Sequence, residues 1–259
     1  MEPTAPTSHH LPTMDAYDLW AAVYDTDGNV LQQLDDIYVD THLPALISSS
    51  ANANTPPVVA ELGCGTGRNT IKLARSGATV LAVDNSRGML EKLQEKLLNT
   101  GLESQVRVYT QDLSEYPNNP DGKRSKLNEA IEGEYGGGVD GVLSTLVIEH
   151  LDIDVFFKLT RSILKPGGWV FLTNMHADMG LLSSAGFMDP VTGKKVKPVS
   201  INHPENEILE AAGRYGFELV GNVSEDGPTD AEHASQFGKR AHKWIGVKMH
   251  IGMVLRLQS

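Results

Sequence analysis

Two rhythms of apolar residues divide the chain. Within residues 14–24, Tyr17, Trp20 and Tyr24 recur at helical spacing, and DTDGN at 25–29 is a turn signal. A second helix is predicted over 30–47, followed by a linker at 48–57. From residue 58 onward, short apolar runs alternate with helical patterns. The runs at 58–62, 79–83, 106–110, 139–144 and 169–174 predict strands. The stretches 68–76, 86–99 and 152–164 predict helices, the second with Met89, Leu90, Leu93 and Leu97 on one face. Such alternation implies parallel βαβ units with helices on both faces of a sheet. A helix at 204–215 follows, its Pro204 near the first turn. Strand patterns around 217–223 and 244–257 then add an antiparallel edge. The fold class is α/β, a mostly parallel seven-stranded sheet.

This rhythm sets the domain organisation. Residues 1–13 are polar and Pro-rich and are expected to be disordered, because they cannot bury enough apolar surface to offset ordering entropy. Residues 14–57 form an N-terminal helical cap, and 58–259 the main domain. Residues 114–138 read as a surface insertion with a short helix around 126–131. Residues 177–203 read as an irregular loop with a hairpin that roofs the pocket, where Leu181, Phe187 and Met188 could line it.

Charge and cysteine usage narrow the function classes. Lysine and arginine total 22 against 33 acidic residues, a net charge of −11. Nucleic acids are bound mainly through phosphate neutralisation, so a nucleic-acid partner is not expected. Lys194, Lys195 and Lys197 are read as a solvated hairpin rather than a phosphate tract. The single cysteine, Cys64, permits no internal disulfide. No apolar run reaches membrane-spanning length, and the N-terminus lacks an apolar signal core. A cytoplasmic protein without a membrane partner is expected, with the nucleus left open.

The chemistry begins with ELGCGTGRN at 61–69, where the first strand meets the first helix. Glycines there allow unusual φ values and close approach of a ligand to bare backbone. A dinucleotide fold has G-x-G-x-x-G, but here Arg68 stands where the last glycine belongs. Glu61 lies two residues before the first glycine. A carboxylate there would repel a pyrophosphate and favour a sulfonium and an ammonium group. Asp84 ends the second strand, where a carboxylate can accept from both ribose hydroxyls. Asp112 follows the third strand, placed to accept from an adenine amino group. The charge pattern favours S-adenosylmethionine over NAD.

The motifs ELGCGTGRNT, VLAVDNSRGML, QDL, LSTLVIEHL and LKPGGWVFLTN resemble those of class I methyltransferases, most nearly the ubiquinone/menaquinone-biosynthesis-like small-molecule group. The resemblance covers residues 58–175 well and the two ends more loosely. It implies the Rossmann-like class I methyltransferase fold, S-adenosylmethionine as cofactor and S-adenosylhomocysteine (SAH) as product. By motif, Glu61, Gly63, Gly65 and Gly67 would hold the methionine end, with Cys64, Thr66 and Asn69 in the same loop. Asp84 would hold the ribose, Asn85 and Met89 would flank the adenine, and Gln111, Asp112 and Leu113 would meet the base. Ser144 would contact the ligand through its backbone. Tyr17 and Tyr24 resemble the aromatics of a lid helix, or pack as core. Cys64 is read as a small packing residue, and no metal site is expected.

Methyl transfer from a sulfonium is an in-line displacement, in which orientation can supply up to about 7–11 kcal/mol. A general base contributes only if the acceptor loses a proton. His150, His176 and His203 follow or precede elements that end at one rim, and each is a candidate base or, alternatively, a cap or loop-ordering residue. The expected partner is a small-molecule acceptor, handled by a monomer or homodimer. A macromolecular methyltransferase and a catalytically silent cofactor-binding regulator are the alternatives. Ser144-Thr145-Leu146-Val147 lacks the Asn/Asp-Pro-Pro-aromatic motif of adenine- and glutamine-modifying enzymes.

Overall fold

Apolar runs that are buried on both faces place the strands, and capped amphipathic helices cover them. A computed structural model describes residues 8–50, 55–116 and 125–258. In chain order the elements are β1 (Ser8–His10), α1 (Thr13–Trp20), α2 (Val30–Ser50), β2 (Val58–Leu62), α3 (Arg68–Arg75), β3 (Thr79–Asp84) and α4 (Arg87–Thr100). Next come β4 (Val106–Thr110), α5 (Lys126–Glu134), β5 (Val139–Thr145), α6 (Ile153–Ile163) and β6 (Leu164–Met175). The chain continues through α7 (Ala177–Leu182), β7 (Phe187–Met188), β8 (Lys195–Lys197), α8 (Glu205–Arg214), β9 (Phe217–Asp226), α9 (Ala231–Gln236) and β10 (His250–Leu257).

Seven strands form one sheet in the order β4-β3-β2-β5-β6-β10-β9. Strands β2 to β6 run parallel, and β10 pairs antiparallel with both β6 and β9. Alternate residues of each central strand serve the two faces. Ala60, Leu62, Leu81 and Val83 meet α5, α6 and α8, whereas Val59, Val80 and Ala82 meet α2, α3 and α4. Order reverses between β2 and β5, so the crevice at their carboxyl ends is the expected ligand position. Among the described residues no helix is long and apolar enough to cross a membrane.

The structure departs from the sequence expectations at the ends and in the linking segments. Ser8–His10 is an ordered strand paired parallel with Lys195–Lys197, while residues 1–7 of the segment expected to be disordered lie outside the described residues. Backbone pairing supplies what the polar side chains cannot. Helix α2 belongs to the main core, because Tyr38, Val39, Leu43 and Ile47 bury against the sheet. Only α1 and the turn after it act as a cap. In the expected insertion, α5 buries Leu127 and Ile131 in the core. Residues 117–124 of that insertion lie outside the described residues. Trp244 ends a short 3₁₀ helix, Lys239–Trp244, rather than starting a strand, since it packs with Val30, Leu31 and Leu34 of α2.

One buried polar network ties α2 to the sheet. The Asp35 carboxylate is fully buried and pairs with the Arg68 guanidinium; it also accepts from Thr173 at 2.5 Å and lies 3.1 Å from His250 Nε2. Burial alone would raise its pKa. The Arg68 charge and the His250 and Thr173 hydrogen bonds outweigh burial and hold it down to about 2. Removing one partner of a buried pair strands the other, so Asp35→Ala is expected to cost about 3–5 kcal/mol, read by urea denaturation. Because the folded pKa lies below the unfolded value of about 3.9, this stabilisation is complete above about pH 4. It is lost as pH falls through about 2.

Candidate active site

The glycine-rich loop shapes the crevice through its own amides. Gly63 N and Cys64 N donate to Val83 O at 2.8 and 2.9 Å. Gly65 N donates to Asp84 Oδ2 at 2.8 Å, and Gly67 N to Cys64 O at 2.9 Å. Four donors that a phosphate-binding loop would offer outward are thus taken up inside the protein. A Cβ at Gly63, whose φ is +74°, would sit 2.3 Å from Val147, so no side chain fits there.

A cavity of about 380 Å³ opens above this loop, a size suited to a small ligand. Gly63, Gly65, Asp84, Asn85, Gln111, Asp112 and Leu113 line its floor, and Tyr17, Tyr24 and His150 line its roof. Asp84 Oδ1 accepts from Ser86 N at 2.9 Å, which with Gly65 N fixes the carboxylate in place. Its recessed position raises its pKa against those hydrogen bonds. Asp112 Oδ1 accepts from Ser114 N and Oγ, capping a single 3₁₀ turn and leaving Oδ2 without a partner among the described residues.

Helix α1 lies over the crevice and is pinned to it by polar contacts. Asp18 Oδ1 accepts from Ser86 Oγ at 2.6 Å and Gly88 N at 3.0 Å, at the start of α4. Tyr17 Oη is 2.9 Å from His150 Nε2, and His150 Nδ1 is 2.6 Å from Val199 O. A carbonyl only accepts, so Nδ1 carries the proton and Nε2 accepts from the Tyr17 hydroxyl. Burial pushes the His150 pKa down to about 4, pushes Tyr17 well above its ordinary value, and pushes Tyr24 up to about 12. The roof is therefore uncharged at neutral pH.

Other expected site residues lie behind the cavity wall. Glu61 is buried and accepts from Thr70 Oγ1 at 2.5 Å. Burial raises its pKa to about 8 against the Thr70 hydrogen bond and the Arg68 charge. Thr66 Oγ1 donates to Asp25 at 2.7 Å, and Asn69 Nδ2 to Thr145 Oγ1 at 3.0 Å. Cys64 and Ser144 are buried, with the Cys64 thiol pushed well above its ordinary pKa by burial. Gly67 caps α3 at φ 85°, and Met89 packs beneath α1 with Ala16 and Trp20.

His176 and His203 do not join His150. His176 caps α7 by accepting from Asp178 N at 3.0 Å and meets Glu225 Oε1 at 2.8 Å. His203 Nε2 is 3.1 Å from Leu151 O in a buried position. Both are held by local structure, and neither lines the cavity. Sequence reading missed Pro12, Thr13 and Met14, which the β1–β8 pairing brings to the rim, and Thr145, Leu146 and Val147. Only the position of 145–147 after the fourth strand hinted at a role.

Leu146 adopts φ +58°, a left-handed conformation that residues other than glycine seldom take. With Tyr17 and Tyr24 it also walls a second, smaller cavity of about 90 Å³. Glu149 lines that second space, is 3% exposed and is pushed up to about pKa 7 by burial.

Fold and site together define a doubly wound α/β protein with a covered ligand crevice at its switch point. Residues 60–170 match the family described as Methyltransferase domain. An uncharacterized methyltransferase of Emericella nidulans is 38% identical, over 94% of this chain and 90% of that protein. The ubiquinone biosynthesis O-methyltransferase of Brucella anthropi is 31% identical, over 45% of this chain and 40% of that protein. The crystal structure of magnesium protoporphyrin IX methyltransferase from Synechocystis, with bound SAH, is similar at a TM-score of 0.58 and 18% identity, over 95% of both chains. The chain belongs to the methyltransferase family and has the Rossmann-like fold of its S-adenosylmethionine-dependent members.

His150 is expected to remain neutral, with the proton on Nδ1, from pH 8 down to about 5, as read from its ring ¹⁵N and ¹H shifts. The unfolded chain gains this proton first, so His150 contributes a loss of stability as pH falls from about 6.5 to about 4. A midpoint near 6.5 in the folded protein would contradict the buried hydrogen-bonded geometry.

Proposed function

We propose that this enzyme transfers the methyl group of S-adenosylmethionine to a small-molecule acceptor by in-line displacement. The observation that carries the reading is the covered crevice itself. Gly63, Gly65, Asp84 and Asp112 line a cavity roofed by α1, while the loop amides turn inward. That acceptor set suits a cofactor with ribose hydroxyls, an adenine amino group and no phosphate. Asp84 would accept from the ribose, and Asp112 Oδ2 from the base. Bare backbone at Gly63 and Gly65 would meet the methionine portion.

When bound, the cofactor supplies an already activated methyl group. The chain's own residues supply orientation and exclude water. Tyr17, Tyr24 and Leu146 line both cavities, so the two spaces adjoin and an acceptor in the smaller one can meet the methyl group at their junction. For an acceptor that must lose a proton, Tyr17 Oη receives it as its own proton moves to His150 Nε2, 2.9 Å away. The Val199 carbonyl, holding His150 Nδ1–H, then stabilises the imidazolium. The enclosed volume supports a small acceptor rather than a macromolecule.

Calorimetric titration with SAH tests the cofactor. SAH is expected to bind, and Asp84→Ala to weaken it about 10- to 100-fold, from losing hydrogen bonds to a charged acceptor worth roughly 1.5–3 kcal/mol. No heat with the folded wild-type chain would overturn the reading. In a labelled-methyl assay on a metabolite extract, His150→Gln is expected to lower kcat by about 10²–10⁴ for a proton-losing acceptor. SAH affinity should change little.

A further inference from the structure

The smaller cavity has a charge pattern unlike the rest of this acidic protein. Lys195 from β8, and Arg240 and Lys243 from the 3₁₀ helix, all line it. None of the three pairs with a carboxylate among the described residues. Arg240 Nη1 donates only to the Asp27 carbonyl, at 2.5 Å, and Lys243 Nζ lies 4.7 Å from the centre of the Trp244 ring. Lys195 was expected on a solvated hairpin. Instead it is half-buried, and burial followed by repulsion from Lys197, Lys243 and Arg240 lowers its pKa. Arg240 and Lys243 are exposed at the mouth of the cavity, and Asp27, whose carboxyl pKa burial raises, feels the Arg240 charge.

Gln32 Nε2, Asp27 Oδ1 and Glu149 Oε2 in the same lining are buried and make no hydrogen bond of full geometry, although Gln32 faces the Tyr24 hydroxyl and Glu149 the Met175 backbone. Buried polar groups are normally fully hydrogen-bonded, so three under-satisfied atoms around one space leave capacity for a ligand's polar groups. Gln32 Nε2 can only donate, and a Glu149 carboxyl that burial keeps near half-protonated at neutral pH can donate or accept. Asp27 offsets one of the three cations, which leaves the space net positive. Trp20, Met175 and Trp244 give it apolar walls.

We infer that this cavity is the acceptor subsite and that it binds a small hydroxylated carboxylic acid as its anion. The carboxylate lies against Lys195, Lys243 and Arg240, and the oxygenated end lies against Gln32 Nε2 and Glu149. The inference rests on the methyl-transfer reading, since it names the substrate class for that reaction. An anion there offsets the cationic charge, and its hydroxyl accepts from Gln32 Nε2 and donates to Glu149.

Calorimetry on the SAH-saturated protein tests it, with 4-hydroxybenzoate and lactate as probes and their uncharged amides as controls. At least one acid is expected to bind, and its amide at least about tenfold more weakly, the loss of one charge-assisted contact. Lys195→Met and Lys243→Met should each weaken the acid about tenfold or more while leaving SAH affinity unchanged, which also reports an intact fold. Gln32→Leu should weaken the hydroxylated acid more than benzoate, its deoxy counterpart. Neither acid binding, equal binding of acid and amide, or undiminished binding to both lysine variants would overturn the inference. With SAH still bound, such a result leaves the methyl-transfer reading standing. Failure of SAH to bind would sink both.

Discussion

The buried Asp35–Arg68 pair is the constraint on which the site depends. Arg68 begins α3, and a cation at a helix N-terminus opposes the helix dipole. It is tolerated because Asp35 and Asp36 of α2 both face it. Thr173 of β6 and His250 of β10 complete the shell around Asp35. One carboxylate therefore fixes α2, the start of α3 and two strands at once. The glycine loop, whose amides turn toward Val83 and Asp84, ends where α3 begins, next to this pair.

A second consequence follows from covering the crevice with the chain's own first helix. Asp18 anchors α1 to α4, and Asp25, in the turn beyond, holds Thr66 and pairs with Lys96. With water displaced, burial acts on every ionisable group nearby. It raises Glu61, Glu149 and the two tyrosines and lowers His150, so most of the interior is neutral. Asp84 keeps its hydrogen bonds to two amides and faces the cavity. In this setting a few fixed charges have a long reach, because little solvent screens them.

The same enclosure explains how the histidines differ. His150 sits in a 3₁₀ turn after β5, beneath α1, where the returning 199–201 segment meets it. His176 leaves the end of β6 and becomes the cap of α7, drawn toward Glu225 on the edge strand β9. His203 turns back toward Leu151. All three stand near strand ends, but only one has the lid above it.

Hydrophobic period and turn chemistry determined much of this protein by themselves. The strands at 58–62 and 106–110 agree with the structure to the residue, and the glycine turn, Asp84 and Asp112 line one covered crevice. Such signals are local: burial on both faces writes continuous apolar runs, and a tight approach to backbone requires glycine. What only the tertiary structure decided was distant pairing. Polar Ser8–His10 becomes a strand only because Lys195–Lys197 lies beside it. Burial in the core raises the Glu61 pKa against the Thr70 hydrogen bond, which favours the charged form. The cations at 195, 240 and 243 converge from segments with no shared pattern. Long-range burial sets charge and contact, and no short window of sequence records which distant residue will do the burying.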